Sequence, residues 1–217
     1  MKSILVIGLG RFGLRLAEKM SELGNDVMAV DTNKTIIEDR ADEFTEAIVA
    51  DCTRESVLKE LGVSEFDICY VCIGTNFQAS LQITSLLKDL GAKRVISKAG
   101  SDIHAKFLLR NGADEIVYPE MEMAEKLAIR HNARNMFDFI ELNDKYGVFE
   151  ISAPESWTGK SIRALDVRSR FKVNILAIKY QNGDLLPLPS ADYIFEPSSN
   201  IVVAGTNEDV KKLTGKN

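Results

Sequence analysis

The sequence predicts an α/β chain, with a doubly wound parallel sheet over residues 1–133 and a small α+β domain over residues 134–217. Three observations carry this reading. Short runs rich in Val and Ile alternate with helical patterns up to about residue 133. Those runs are apolar on consecutive positions, as in strands buried on both faces beneath helices. From Phe137 onward the pattern changes to turn-separated strands that alternate apolar with polar residues, which reads as a separate α+β unit.

The first run, Ile4–Ile7, enters a turn with glycines at Gly8, Gly10 and Gly13. Helical periodicity follows at once through Leu14, Leu16, Ala17, Met20 and Leu23. Strand, glycine turn and helix together are the context that gives G-x-G-x-x-G its meaning, namely a Rossmann-type unit. One glycine permits the tight turn, one lets the backbone approach a phosphate, and one lets helix and strand pack closely. The N–H groups that open the helix favour an anion. The second run, Val27–Val30, ends in Asp31, 18 residues after Gly13. A carboxylate there is placed to bind the hydroxyls of an adenosine ribose and would repel a 2′-phosphate, which disfavours NADP.

Further strands are expected at Ala47–Ala50, Ile68–Ile73, Val95–Ile96 and Ile116–Val117, and helices at roughly 11–23, 33–41, 53–61, 76–90, 101–111 and 119–132. Thr53, Asn76 and Ser101 suit N-caps, and Gly24, Gly62, Gly91 and Gly112 stand where helices end. The helix over 119–132 carries Met121, Met123, Ala124, Leu127, Ala128 and Ile129, more apolar surface than one amphipathic face requires. It reads either as a core helix or as a crossover helix that packs on a second subunit. In the second domain, strands are expected at Phe137–Leu142, Gly147–Ile151, Asn174–Tyr180 and Asn200–Gly205, with helices at Ser161–Phe171 and Asn207–Leu213.

Length and composition narrow the function classes. A chain of 217 residues makes one large domain or two small ones, and 45% apolar with 27% charged residues is ordinary for a soluble globular protein. The net charge is −5 with no Lys/Arg cluster, so no nucleic-acid partner is expected. No apolar run approaches the roughly 20 residues that span a bilayer, and there is no signal-peptide pattern, so a cytoplasmic location is expected. Cys69 and Cys72 have C-x-x-C spacing, but on a strand they point to opposite faces; with Cys52 they read as small buried hydrophobes.

Ligands of an open parallel sheet sit at the carboxyl ends of its strands. Those ends supply Gly8, Gly10, Arg11, Phe12 and Gly13; then Asp31 and Asn33; then Asp51, Cys52 and Thr53; then Gly74, Thr75 and Asn76; then Lys98; and finally Glu120. Arg11 inside the glycine turn can pair with phosphate oxygens, and Lys98 can supply a second cation across the cleft. Two cations beside a helix terminus suit a polyphosphate better than a bridging pyrophosphate. Asp51 can accept an amino hydrogen of adenine, cap the next helix, or do both. Catalytic equipment is missing: the only histidines, His104 and His131, lie on expected helices, and no nucleophile, zinc or P-loop motif is present. A nucleotide site without chemistry reads as a sensor and not an enzyme.

Gly8-Leu9-Gly10-Arg11-Phe12-Gly13, Ala29-Val30-Asp31, Ala50-Asp51, Ile73-Gly74-Thr75-Asn76, Lys98-Ala99, Gly112-Ala113-Asp114 and Pro119-Glu120 occur together. In this set the chain resembles the RCK (regulator of potassium conductance) proteins, specifically the cytosolic gating subunits of Ktr/Trk-type potassium uptake systems. The resemblance spans the whole length, an RCK N-terminal domain followed by a TrkA-C (RCK_C) domain. It implies a homodimer joined through the crossover helix, an octameric ring, and a membrane-embedded potassium-translocating partner that keeps the protein peripheral to the inner membrane face. It implies ATP or ADP as ligand, or NAD(H) in some members, with Asp31 on the ribose, Asp51 on adenine and Arg11 on the phosphates. Glu120 is similar to an acidic residue that binds a cation beside the phosphates; its other reading is a carboxylate favoured by the helix dipole. Cyclic di-AMP is implied for some relatives, and Asn174, Ile175, Pro187 and Pro189 are the positions that would line its site; ordinary strand and turn packing is the other reading. Two other classes stay open at this point, an NAD-dependent oxidoreductase and the nucleotide-sensing domain of a potassium channel or cation/proton antiporter.

Overall fold

The computed structural model describes residues 1–132 and 136–215, with side chains outside 129–136. Two compact units divide the chain, Met1–Glu122 and Met123–Asn217. The expected junction at residues 133 and 134, and the side chains of Ile129 and His131, lie outside the described residues.

The first unit is built on a six-stranded sheet of β1 (Ser3–Ile7), β2 (Asp26–Asp31), β3 (Glu46–Val49), β4 (Ile68–Val71), β5 (Val95–Lys98) and β6 (Glu115–Val117), in the order β3-β2-β1-β4-β5-β6. Every pairing is parallel. Between the strands run α1 (Arg11–Glu22), α2 (Lys34–Arg40), α3 (Glu55–Glu60), α4 (Phe77–Asp89) and α5 (Asp102–Arg110), and α6 (Pro119–Asn132) follows β6. This is the doubly wound order, whose switch point lies between β1 and β4. Both faces of the sheet are buried. Along β1, Ile4 and Val6 enter one core, with Ala17 and Ile37, while Leu5 and Ile7 enter the other, with Leu58 and Leu87. Cys69 and Cys72 fall into opposite cores, as their spacing requires, and burial pushes both thiols, and that of Cys52, up to about 12.

Asn33, Asn76 and Ser101 cap α2, α4 and α5 through side-chain oxygens. The expected Thr53 cap is corrected: α3 begins at Glu55 with Arg54 as N-cap, because the Asp51 side chain turns onto Thr53 and holds the chain in a loop. For α6, the core-helix reading is also corrected, since Met121, Met123 and Leu127 are exposed.

The second unit has an antiparallel sheet of β7 (Met136–Glu141), β8 (Tyr146–Ser152), β9 (Asn174–Lys179), β10 (Leu185–Pro187) and β11 (Asn200–Thr206), in the order β10-β9-β11-β8-β7. Gly147, Phe149 and Ile151 of β8 alternate inward. Phe149 and Ile151 meet Trp157, Phe195, Ile178 and Ile201 in a separate core. The expected helix Ser161–Phe171 is two short ones, α7 (Ile162–Leu165) and α8 (Val167–Phe171), because Asp166 between them adopts a left-handed φ of 46°. A last helix, α9 (Asn207–Leu213), follows β11 and is capped by Thr206.

Candidate functional site

The site gathers at the carboxyl end of the parallel sheet, where β1 and β4 diverge. Gly8 leaves β1 with φ +94° while its N–H still bonds Val30 O at 2.8 Å, a conformation that disfavours any side chain. At Gly13 a Cβ would lie 1.9 Å from Gly8 O, so only glycine lets α1 sit this close to the strand. Gly10 differs from both: it precedes α1 in extended conformation, and a Cβ there would meet nothing within 4 Å. No side chain caps α1. Its opening N–H groups, with the positive end of the helix dipole, therefore face the open space beside Gly10.

Asp31, at the end of β2, is tied to the turn. Its Oδ2 accepts from Leu9 N–H at 2.6 Å and its Oδ1 from Asn33 N–H at 2.8 Å. Each oxygen retains a lone pair, so these bonds fix the carboxylate without exhausting it. Asn33 spends its side-chain oxygen on the first turn of α2. Asp51 accepts from the hydroxyl and N–H of Thr53, at 2.6 and 3.0 Å, and those bonds hold its carboxyl below the usual range. The Cys52 side chain turns away into the core with Ile7, Val30 and Leu58, so only its backbone borders the cleft. Past β4, Gly74 and Thr75 are exposed, and Asn76 Oδ1 caps α4 by accepting from Ala79 N–H at 3.0 Å.

Lys98 reaches the cleft from the end of β5. Its ammonium lies 5.9 Å from the centre of the Phe12 ring and where a Cβ on Gly74 would be 3.1 Å away. It bonds Glu120 Oε1 at 2.7 Å. That bond, more than the general field of Lys98 and Arg11, holds the Glu120 carboxyl below the usual range. Arg11 is exposed at the mouth of the turn. Among the described residues no group of three or more His, Cys, Asp or Glu is arranged to hold a metal ion.

Sequence reasoning did not place His104 here. It is buried at the start of α5, where Nδ1 accepts from Gly100 N–H at 3.2 Å and Nε2 meets Ser80 Oγ at 3.2 Å. Tyr118 Oη donates to Gly100 O at 3.1 Å, so this pair of residues fixes the loop after β5. Nothing local in the sequence marks that contact. In the second unit, Asn174 and Ile175 open β9, Pro187 closes β10 opposite Ala177, and Leu188 N–H bonds Leu176 O, which carries Pro189 toward the same end of the sheet edge.

Strand order, glycine turn and Asp31 define a Rossmann-type nucleotide-binding fold joined to a small antiparallel unit. Family models match both parts: the TrkA-N domain over residues 4–119 and the TrkA-C domain over residues 148–215. The chain belongs to this TrkA family. It is 37% identical over 212 residues to the Ktr system potassium uptake protein C of Bacillus subtilis (strain 168), a match that covers 98% of this chain and 96% of the relative. Two solved structures share its fold. The GsuK RCK domain aligns with a TM-score of 0.68 and 18% identity, over 99% of this chain and 48% of that one. The GsuK channel bound to NAD aligns with a TM-score of 0.71 and 19% identity, over 99% of this chain and 40% of that one. The chain thus spans less than half the length of either structure. Among the described residues no helix is long and apolar enough to cross a membrane.

Proposed function

We propose that the chain is a non-enzymatic regulatory subunit, cytoplasmic and peripheral to the membrane, that binds an adenine nucleotide at the glycine turn and thereby gates a membrane potassium-translocating partner. The observation that carries this reading is the uncapped start of α1, open beside Gly10 and flanked by Arg11 and Lys98. Such a site takes phosphates. Asp31, already fixed by Leu9, supports a ribose beside it, and Asp51 an adenine amino group. ATP and ADP are the ligands proposed, with NAD(H) as the alternative that the NAD-bound GsuK channel supports. The likeness to a Ktr potassium uptake protein over nearly the full length of both chains supports potassium uptake as the process regulated.

Exposed Met121, Met123 and Leu127 on α6, and Phe77, Ile103 and Phe107 on α4 and α5, support a homodimer and a larger ring, proposed as octameric. A cation at Glu120 would need that carboxylate freed from Lys98 and further oxygen ligands, which nucleotide phosphates supply. Cyclic di-AMP at Asn174, Ile175, Pro187 and Pro189 is proposed as a second ligand. Gating then follows from differential affinity: each nucleotide favours the ring shape that it binds better, and by no more than that difference. Calorimetric titration tests the reading. Arg11→Ala is expected to weaken ATP by about tenfold, or about 1.4 kcal/mol, and ADP by less. Equal losses would remove the γ-phosphate from the mechanism, and a wild-type chain that binds no adenine nucleotide would remove the function.

A further inference from the structure

Lys98 and Glu120 make an unequal pair. The lysine side chain is 13% exposed and held between the Phe12 ring and the gap that Gly74 leaves, whereas the glutamate side chain is 62% exposed. The cation is therefore the fixed member and the carboxylate the movable one. Lys98 ends β5 and reaches back toward the switch point between β1 and β4, with its ammonium near Phe12 and Gly74, where a phosphate held by the start of α1 would need it. Its partner in this structure is already an anion, the Glu120 carboxylate in the first turn of α6.

We propose that Glu120 is an internal stand-in for a ligand phosphate: it occupies Lys98 in the free chain and is displaced when a nucleotide's phosphate takes that seat, so the first turn of α6 reports occupancy. This rests on the nucleotide site proposed above. The consequence is one of specificity. A ligand whose phosphates stop short of Lys98 leaves the pair closed and α6 anchored. A ligand that reaches Lys98 binds against the competing carboxylate, and its apparent affinity is lowered by the fraction of chains in which the pair is open. Lys98 has three N–H donors, but its side chain is only 13% exposed, with Phe12 and Gly74 beside the ammonium, so little of it stays open to a second anion while Glu120 holds it.

The experiment is calorimetric titration of ATP and of ADP into the full chain in metal-chelated buffer, with wild type, Glu120→Gln, Lys98→Gln and the double variant. Glu120→Gln is expected to tighten at least one nucleotide by about threefold or more, Lys98→Gln to weaken it, and Glu120→Gln to change nothing once Lys98 is Gln. If Glu120→Gln weakens binding or leaves it unchanged, the stand-in is refuted while the nucleotide site survives. If wild type binds neither nucleotide, the function proposed above fails and displacement fails with it. Hydrogen exchange of the ligand-free proteins gives a reading that needs no nucleotide. Amides over residues 120–128 are expected to exchange faster, and to the same extent, in Glu120→Gln and Lys98→Gln, and equal protection in all three proteins would overturn the anchoring of α6.

Discussion

The carboxylate of Asp31 receives the backbone N–H of Leu9 at 2.6 Å, which joins the end of β2 to the middle of the glycine turn. One side chain thus shapes the turn and keeps acceptor capacity beside it, where the proposed site would seat a ribose. The position would keep a stability role even in a chain with no ligand.

Asp31→Ala is therefore expected to lower unfolding free energy by about 1–3 kcal/mol, since it strands a partly buried N–H. Asp31→Asn keeps one acceptor oxygen and is expected to cost less. Urea denaturation of both variants checks this. A loss of nucleotide affinity with unchanged stability would show that the turn holds its shape without Asp31.

Gly10 and Gly13 are expected to separate fold from binding. Gly13→Ala drives a Cβ onto Gly8 O and should destabilise by about 1–3 kcal/mol or more, as overpacking does. Gly10→Ala has room and an unstrained backbone, so its stability should stay within about 0.5 kcal/mol of wild type. Its new methyl group points into the space that a phosphate would use, so nucleotide affinity should fall about tenfold or more. Thermal melts with and without ATP distinguish the two effects.

Burial of His104 is expected to give the fold a pH dependence with a definite sign. Burial holds its imidazole below the usual value of 6.5, so the unfolded chain takes up the proton first. The stability contributed by the neutral ring is complete above pH 6.5 and is lost as pH falls below it. Unfolding measured between pH 7.5 and 5 should show stability declining toward acid, and His104→Gln should flatten that decline. A steeper decline in the variant would contradict the assignment of Nδ1 as acceptor from Gly100.

Local chemistry was legible in the order of residues. The glycine turn, Asn76 and Ser101 each act within four positions of themselves, so spacing alone identified them, whereas Asn33, expected only at the ligand cleft, also caps α2. Two failures were also local. Thr53 looked like a cap, but Asp51 competes for the same backbone two residues earlier. Ser161–Phe171 looked like one helix, but Asp166 tolerates the left-handed conformation and breaks it. Leu185–Pro187 escaped notice as a strand because three residues at a sheet edge leave no periodicity to read.

The sequence by itself determined the doubly wound sheet, the turn that opens α1, the carboxylate that ends β2 and membership of the TrkA family, because helix and strand periods and glycine's freedom are properties of neighbouring residues. Only the tertiary structure decided that Lys98 meets Glu120, that His104 is sealed against Ser80 and Gly100, and that α6 leaves its methionines uncovered. The Lys98–Glu120 and His104–Ser80 contacts join residues 22 and 24 positions apart, and which side chains meet across such distances is set by how α4, β5, α5 and α6 pack, not by the period of any one of them.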